Sequence, residues 1–158
     1  MIPAPITCPE MNVLEDWIDY NGHMNMAFYH VVFDKSLDTV YDDLGIGAAY
    51  VETEGGSLFT LEVHVNYLQE VALGDPLRVT WRLLDFDAKR IHFFEEMYHA
   101  DEGFLVATSE QMAMHIDMNT RRSSSLPDRV QETLAKILRQ HSELALPPQA
   151  GNAIRIRR

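Results

Sequence analysis

A short segment near the N-terminus, DWIDYNGHMNMAFY, concentrates side chains that can move protons or bind an anion. Asp19 is a carboxylate able to activate water, and Asn21 and His23 follow it at intervals of two residues. Gly22 between them lets the backbone approach a ligand closely. The same residue types build ordinary turns and helix caps, so the segment by itself leaves catalysis and capping as two alternatives.

The segment runs directly into the strongest helix pattern in the chain. From Met26, apolar residues recur at steps of three or four until Gly45 ends the pattern. Many are aromatic or β-branched, types with little intrinsic preference for helix, so we expect tertiary packing to hold this helix. Asn25 is placed to cap it, and the amides entering it are expected to point outward. The apolar set is Phe28, Tyr29, Val32, Phe33, Leu37, Val40, Tyr41 and Leu44.

Four runs of alternating residues follow, and they predict four β-strands. Short turns rich in glycine, proline and acidic residues separate them, so we expect an antiparallel meander. Upstream, the proline-containing residues 5–18 are typical of an extended segment near a sheet edge. The four runs are residues 57–71, 77–87, 90–100 and 104–118.

The chain is expected to form one α+β domain over residues 1–145. Helical spacing of apolar residues predicts a short second helix at 128–141. An antiparallel sheet wrapped around the long first helix would bury both, and its open edge would favour pairing between subunits. Residues 146–158 show no periodic pattern and are predicted to form a flexible C-terminal tail.

Composition excludes several classes of protein. The 158 residues are 46% hydrophobic and 23% charged, as in an ordinary folded domain. A net charge of −11 repels a phosphate backbone, so nucleic acid is not an expected partner. Cys8 is the only cysteine, which indicates a free thiol in a reducing compartment. No stretch is typical of a signal peptide or a membrane span, so we expect a cytoplasmic protein without a membrane partner.

Several motifs together resemble a known family. The run DYNGHMN, the helix AFYHVVFDKSLD, and the later segments VHVNYLQEVALGDPLRV and MAMHIDMNTRRSSSLP resemble hotdog-fold acyl-CoA thioesterases of the 4-hydroxybenzoyl-CoA thioesterase type. The resemblance runs from about residue 10 to residue 127. The run DWIDYNGHM is further similar to the betainyl-CoA thioesterases of carnitine degradation. The resemblance implies a hotdog fold, in which an antiparallel sheet wraps a long central helix.

The resemblance also implies an activity: hydrolysis of a short acyl-CoA, without metal or cofactor, at sites formed between the protomers of a homodimer or homotetramer. It assigns Asp19 as general base or nucleophile, and the two roles stay open. The spacing of Asp19, Asn21 and His23 is also similar to the catalytic segment of plant acyl-carrier-protein thioesterases, where the last two orient water and substrate. Amides near Gly22 would hold the oxyanion, with Asn25 beside them.

Two further groups of residues are candidates for substrate contacts. Ring faces near the motif could meet the quaternary ammonium of a betainyl group, or the same rings could belong to the core. Basic residues at strand ends could bind CoA phosphates locally, or they could simply be solvated. The aromatic candidates are Trp17, Tyr20, Phe28 and Tyr29, and the basic candidates are Lys89, Arg90, Arg121 and Arg122.

Other arrangements compete with this interpretation. Glu62 shares a predicted strand face with His64 and Asn66, which makes it a reserve base, although such a face can equally be a subunit interface or solvated. The histidines lack metal-ligand spacing, and no G-x-S-x-G motif is present. A non-catalytic CoA- or acyl-binding hotdog module and a thioesterase for another aromatic or short-chain acyl-CoA remain the alternative functions.

Overall fold

Helix α1 (Met26–Asp43) lies against one face of an antiparallel sheet in the computed structural model, which describes residues 2–156. Its start and end agree with the predicted ones. Within the described residues, no helix combines the length and apolar character needed to cross a bilayer. The other elements are β1 (Ile6–Thr7), β2 (Met11–Asn12), a single 3-10 turn (Glu15–Trp17), α2 (Ala48–Glu54), β3 (Gly56–Tyr67), β4 (Pro76–Phe86), β5 (Arg90–His99), β6 (Leu105–Asp117), β7 (Arg122–Ser123) and α3 (Asp128–His141).

The sheet corrects the prediction of a four-stranded meander. Its strand order is β1-β4-β5-β6-β3, with β2 also paired to β4 and β7 to β6. Only β4, β5 and β6 form a meander, whereas β3 pairs with β6 on the far side. The connection from β3 to β4 crosses to the other edge, and buried Val71 fixes it there because its carbonyl accepts the Met24 amide at 2.9 Å. Alternation identifies a strand and its faces but not its partner.

A bulge at Leu61 interrupts β3. Thr60 lies opposite Ala113 and Glu62 lies opposite Met112, so one extra residue is inserted in β3. After the bulge the faces exchange: Val63 lies beside Thr60 in a cleft against α1, while Glu62 lines the outer face. Uninterrupted alternation along this run would put Thr60 and Glu62 on one face, and the bulge shows that expectation to be wrong.

The two helices that flank the sheet differ in how well the sequence predicted them. Helix α3 has the predicted bounds and buries Val130, Leu134 and Ile137. Helix α2 was not predicted, because its seven residues are too short for a periodic pattern. It is fixed by Tyr50, whose hydroxyl lies 2.9 Å from His115 Nε2 on β6.

Candidate active site

The loop that contains the motif folds back on itself just before α1. Ile18 and Met24 form an isolated antiparallel bridge, and the Asp19 amide donates to the carbonyl of His23 at 3.2 Å. Gly22 closes the turn with its amide on the Asp19 carbonyl at 2.9 Å, and its φ of 82° is in the left-handed region that favours glycine. The loop therefore presents the Asp19 side chain at the N-terminal end of α1.

The Asp19 carboxylate is held at both oxygens. Oδ2 accepts the side-chain amide of Asn25 at 2.9 Å, and Oδ1 accepts the backbone amide of Asn21 at 2.8 Å. These hydrogen bonds, that of Asn25 first, lower the pKa of Asp19 below its ordinary value. Asp19 is therefore an ionised, oriented carboxylate with water access, as a general base or nucleophile needs to be.

Asn25 connects this carboxylate to the helix. Its Oδ1 accepts the Ala27 amide at 3.0 Å, which makes Asn25 the N-cap of α1, while its Nδ2 donates to Asp19. The Phe28 amide donates to the Asn25 carbonyl at 3.0 Å. Capping of the helix is therefore compatible with a contact to the candidate carboxylate, since one side chain makes both.

The imidazole of His23 makes no hydrogen bond to the Asp19 carboxylate, although the backbones of the two residues are joined. The His23 Nδ1 is 3.1 Å from the Met24 carbonyl, and its Nε2 is 3.9 Å from a carboxylate oxygen of Glu70. His23 instead borders a pocket of about 300 Å³ at the N-terminal end of α1. We call this the tyrosine pocket, lined by His23, Met24, Met26, Tyr29, Tyr67, Leu68, Gln69 and Glu70.

The aromatic candidates separate into three environments. Trp17 is buried and stacks on partly buried Phe28, with centroids 5.7 Å apart. Tyr20 is 97% exposed. Tyr29 reaches the tyrosine pocket, where it meets Tyr67 edge to face at 5.1 Å. Sequence reasoning missed Tyr67 as a site residue, because simple alternation puts it on the face opposite Thr60 and only the bulge at Leu61 turns it toward α1.

Glu62, the reserve base, lies on the outer face of the sheet away from this loop. It lines a cavity of about 260 Å³ with His64, His92 and Glu110. His92 Nε2 lies 2.8 Å from a Glu110 carboxylate oxygen, so these two form the close pair of the cavity. The predicted face partner His64 is present, but Glu62 and Asp19 are not brought together within one protomer.

The four basic candidates lie at the opposite end of the sheet from the tyrosine pocket. Arg90 pairs with Met114 and Arg122 with Asp117, whereas Tyr67 pairs with Ala107 at the other end of β6. Because β3 has twelve residues, these ends are about 35 Å apart. The four cations therefore do not meet Asp19 within one protomer.

Two of these cations already have intramolecular partners. The Arg90 guanidinium forms an ion pair with Asp87, with a nitrogen–oxygen distance of 2.5 Å. The Arg121 guanidinium lies over the ring of Phe59, 5.2 Å from its centroid. Lys89 and Arg122 are exposed.

The cysteine and the potential metal ligands of the described residues are the alternatives to the loop. Burial raises the pKa of the Cys8 thiol to about 11, so the thiolate form is suppressed. Among residues 2–156, no group of three or more histidine, cysteine or acidic side chains is arranged to hold a metal ion. The Asp19 loop is thus the segment that joins an oriented carboxylate to the N-terminus of α1 and that borders the tyrosine pocket through His23 and Met24.

Comparisons with known proteins establish the family to which the chain belongs. The family model described as the thioesterase-like superfamily matches residues 13–134, which is most of the chain. The chain belongs to the thioesterase-like superfamily. A solved structure of a hypothetical protein from Staphylococcus aureus in complex with CoA is 34% identical to this thioesterase-like chain. It superposes with a TM-score of 0.91 over 99% of this chain and 98% of that one.

Two relatives with named activities are similar to nearly the whole of this chain. A betainyl-CoA thioesterase of Pseudomonas aeruginosa is 36% identical over 94% of each chain. An L-carnitine dehydrogenase/betainyl-CoA thioesterase of Rhizobium meliloti is 37% identical over 96% of this chain, which spans 30% of that longer protein. The predicted family and the hotdog α+β fold class are confirmed, and the relatives support the predicted class of thioester hydrolase.

Proposed function

We propose that this chain hydrolyses a short acyl-CoA thioester to the free acid and CoA, and that betainyl-CoA is its substrate. The observation that supports the activity is the ionised Asp19 carboxylate, fixed by Asn25 at the N-terminus of α1. The names of the relatives from Pseudomonas aeruginosa and Rhizobium meliloti support the substrate.

In the proposed reaction, Asp19 accepts a proton from a water molecule whose oxygen attacks the thioester carbonyl. The carbonyl oxygen becomes an oxyanion, and as it collapses the carbon–sulfur bond breaks. CoA leaves as a thiolate that takes the proton held by Asp19, which restores the carboxylate. Attack by the Asp19 carboxylate itself, followed by hydrolysis of the anhydride, remains the alternative route. His23 and Asn21 are proposed to orient water and substrate beside it.

The oxyanion is assigned to the first turn of α1. The Gly22 amide is engaged with the Asp19 carbonyl, and the Ala27 and Phe28 amides are engaged with Asn25. Met26 therefore carries the first-turn amide for which residues 2–156 supply no acceptor, and the helix dipole adds positive potential there. Gly22 contributes by shaping the turn rather than by donating to the substrate.

The lining of the tyrosine pocket supports the proposal that the acyl group is cationic. Tyr29 and Tyr67 provide aromatic surface, and a trimethylammonium group gains about 0.5–2 kcal/mol from a good ring contact. The Glu70 carboxylate, 78% exposed at the pocket rim, adds negative charge on the same side. An uncharged acyl chain would gain no such electrostatic contribution. We therefore favour a betainyl group over an aromatic or simple short-chain acyl group.

Homodimerisation would explain the position of the four basic candidates. Among the described residues, β3 pairs only with β6, and its exposed apolar residues include Phe59 and Leu61. Antiparallel pairing of two copies of β3 would bring the basic end of one protomer to the Asp19 end of its partner. This supports Lys89, Arg90, Arg121 and Arg122 as phosphate-binding residues of CoA supplied across the dimer, and a tetramer remains open.

The test is thiol release from a panel of short acyl-CoAs that includes betainyl-CoA. Asp19→Asn keeps the size and hydrogen-bonding oxygen but not the charge, and kcat is expected to fall by about 100-fold or more. Asp16→Asn, at an exposed acid three residues upstream, is the matched control and should retain activity. No turnover by the wild type, or full turnover by Asp19→Asn, would refute the proposal.

The alternative of a non-catalytic CoA- or acyl-binding module predicts a different result in the same panel. Binding would then be saturable without thiol release, and it would survive Asp19→Asn. The cytoplasmic location expected from the sequence stays a prediction.

A further inference from the structure

The C-terminal segment forms one wall of a groove that leads to the tyrosine pocket. Residues 148–155 lie beside the last part of β3, and a cavity of about 560 Å³ separates the two. We call it the tail groove. Tyr67 and Leu68 line both the tail groove and the tyrosine pocket, so the two cavities adjoin at these residues. A ligand in the groove would reach the N-terminal end of α1.

The wall is fixed by several contacts. The Arg82 guanidinium donates to the carbonyls of Leu144 and Ala145, and Pro147 is buried. The Gly151 amide then donates to a Glu110 carboxylate oxygen at 2.7 Å. The other oxygen of Glu110 is the one that lies 2.8 Å from His92 Nε2. This outer-face pair thus holds the segment that borders the groove.

The polar and apolar groups that line the groove complement a pantetheine arm joined to phosphate. Gln149 lines it, and its side-chain oxygen is buried with no hydrogen-bond donor among the described residues. Asn66 and Asn152 add side-chain amides to the lining. Leu68 adds apolar surface, and Arg155 adds a guanidinium group. The pantetheine arm of CoA carries methyl groups and two amide N–H groups, and either N–H could donate to the Gln149 oxygen. The diphosphate attached to the arm could accept from Arg155.

We infer that the tail groove binds the pantetheine and phosphate portion of CoA, with Arg155 contacting a phosphate and Gln149 accepting a pantetheine amide. The inference rests on the proposed function, since it supplies a CoA subsite within the same protomer as Asp19. It assigns a binding role to a C-terminal segment in which the sequence shows no periodic pattern. It also provides a local cation for an anionic ligand on a chain of net charge −11.

Binding of free CoA, measured by calorimetry, tests the inference apart from catalysis. Arg155→Gln should weaken CoA about five- to twentyfold, as expected for loss of a charged hydrogen bond, and should leave N-acetylcysteamine, which lacks phosphate, unaffected. Gln149→Ala should weaken both CoA and pantetheine. Arg139→Gln is the charge-matched control, because Arg139 is exposed on α3 and outside the groove.

Kinetics then separate this inference from the proposed function. With the wild type active on acyl-CoA, Arg155→Gln should raise KM for acyl-CoA with little change in kcat, and should leave the acyl-N-acetylcysteamine thioester unaffected. Unchanged CoA affinity in Arg155→Gln, or equal weakening in Arg139→Gln, would overturn the groove assignment while leaving the esterase intact. If Arg155→Gln weakens CoA binding but the wild type releases no thiol, the result would support the groove and refute the hydrolase.

Discussion

The side chain of Asn25 donates to the Asp19 carboxylate at 2.9 Å while it caps helix α1 through its other end. The orientation of the candidate base is thereby tied to the first turn of the helix that carries the proposed oxyanion donor. A change at Asn25 should affect both, and the two effects can be separated by the choice of substitution.

Asn25→Ser should shift the pH profile with little loss of stability. Serine caps helices about as well as asparagine, so the free energy of unfolding should change by only a few tenths of a kcal/mol. The hydrogen bond that lowers the pKa of Asp19 most is lost, so that pKa rises. The acidic limb of kcat/KM for acyl-CoA should therefore move to higher pH. An acidic limb at the wild-type position would show that Asp19 does not set it.

Tyr67→Leu should reduce discrimination for charge in the acyl group. Betainyl-CoA can be compared with 3,3-dimethylbutanoyl-CoA, in which carbon replaces the quaternary nitrogen at nearly the same size. The ratio of kcat/KM for the two should fall by about two- to thirtyfold in Tyr67→Leu, because the ring contact acts only on the cation. Tyr67→Phe keeps the ring and should keep the ratio. Equal losses with both substrates would indicate a purely steric role.

Leu61→Arg should weaken self-association of the chain. Leu61 is 53% exposed at the bulge of β3, the strand with a free edge among the described residues. Two such arginines at a shared edge would repel each other and lose apolar contact. Sedimentation velocity should show a smaller species than for the wild type, and activity should fall with it if the cations act across the dimer. Leu146→Arg, at an exposed leucine outside the sheet, is the control.

Glu95→Gln should stabilise the fold increasingly as pH rises. Glu95 is fully buried on β5 with one oxygen accepting from Gln111 at 2.8 Å, and burial raises its pKa well above 4.5. Because the folded pKa exceeds the unfolded one, the wild type loses stability as pH rises from about 4.5 toward the folded value. The difference between variant and wild type in urea midpoint should therefore grow over that window. A difference that stays constant over that window would contradict the prediction.

Local patterns predicted the parts of the site that are local in sequence. The helix from Met26, its cap and the turn at Gly22 are all determined within a few residues, and the sequence shows them. Tyr67 was missed because its place in the pocket depends on the pairing of β3 with β6 and on the inserted residue at Leu61. The groove wall at Gln149 was missed for a similar reason, since its position beside β3 depends on distant contacts such as that of Gly151 with Glu110 on β6.

The bulge at Leu61 lets β3 hold one extra residue without changing the faces that the residues after it present. If Leu61 were absent, Thr60 and Glu62 would follow each other on opposite faces as in a regular strand, and Tyr67 would keep its place in the pocket. A change of length at this position would therefore alter the exposed apolar surface of a strand edge and leave the aromatic wall intact. Related chains can gain or lose this residue while conserving both the pocket and the loop that carries Asp19.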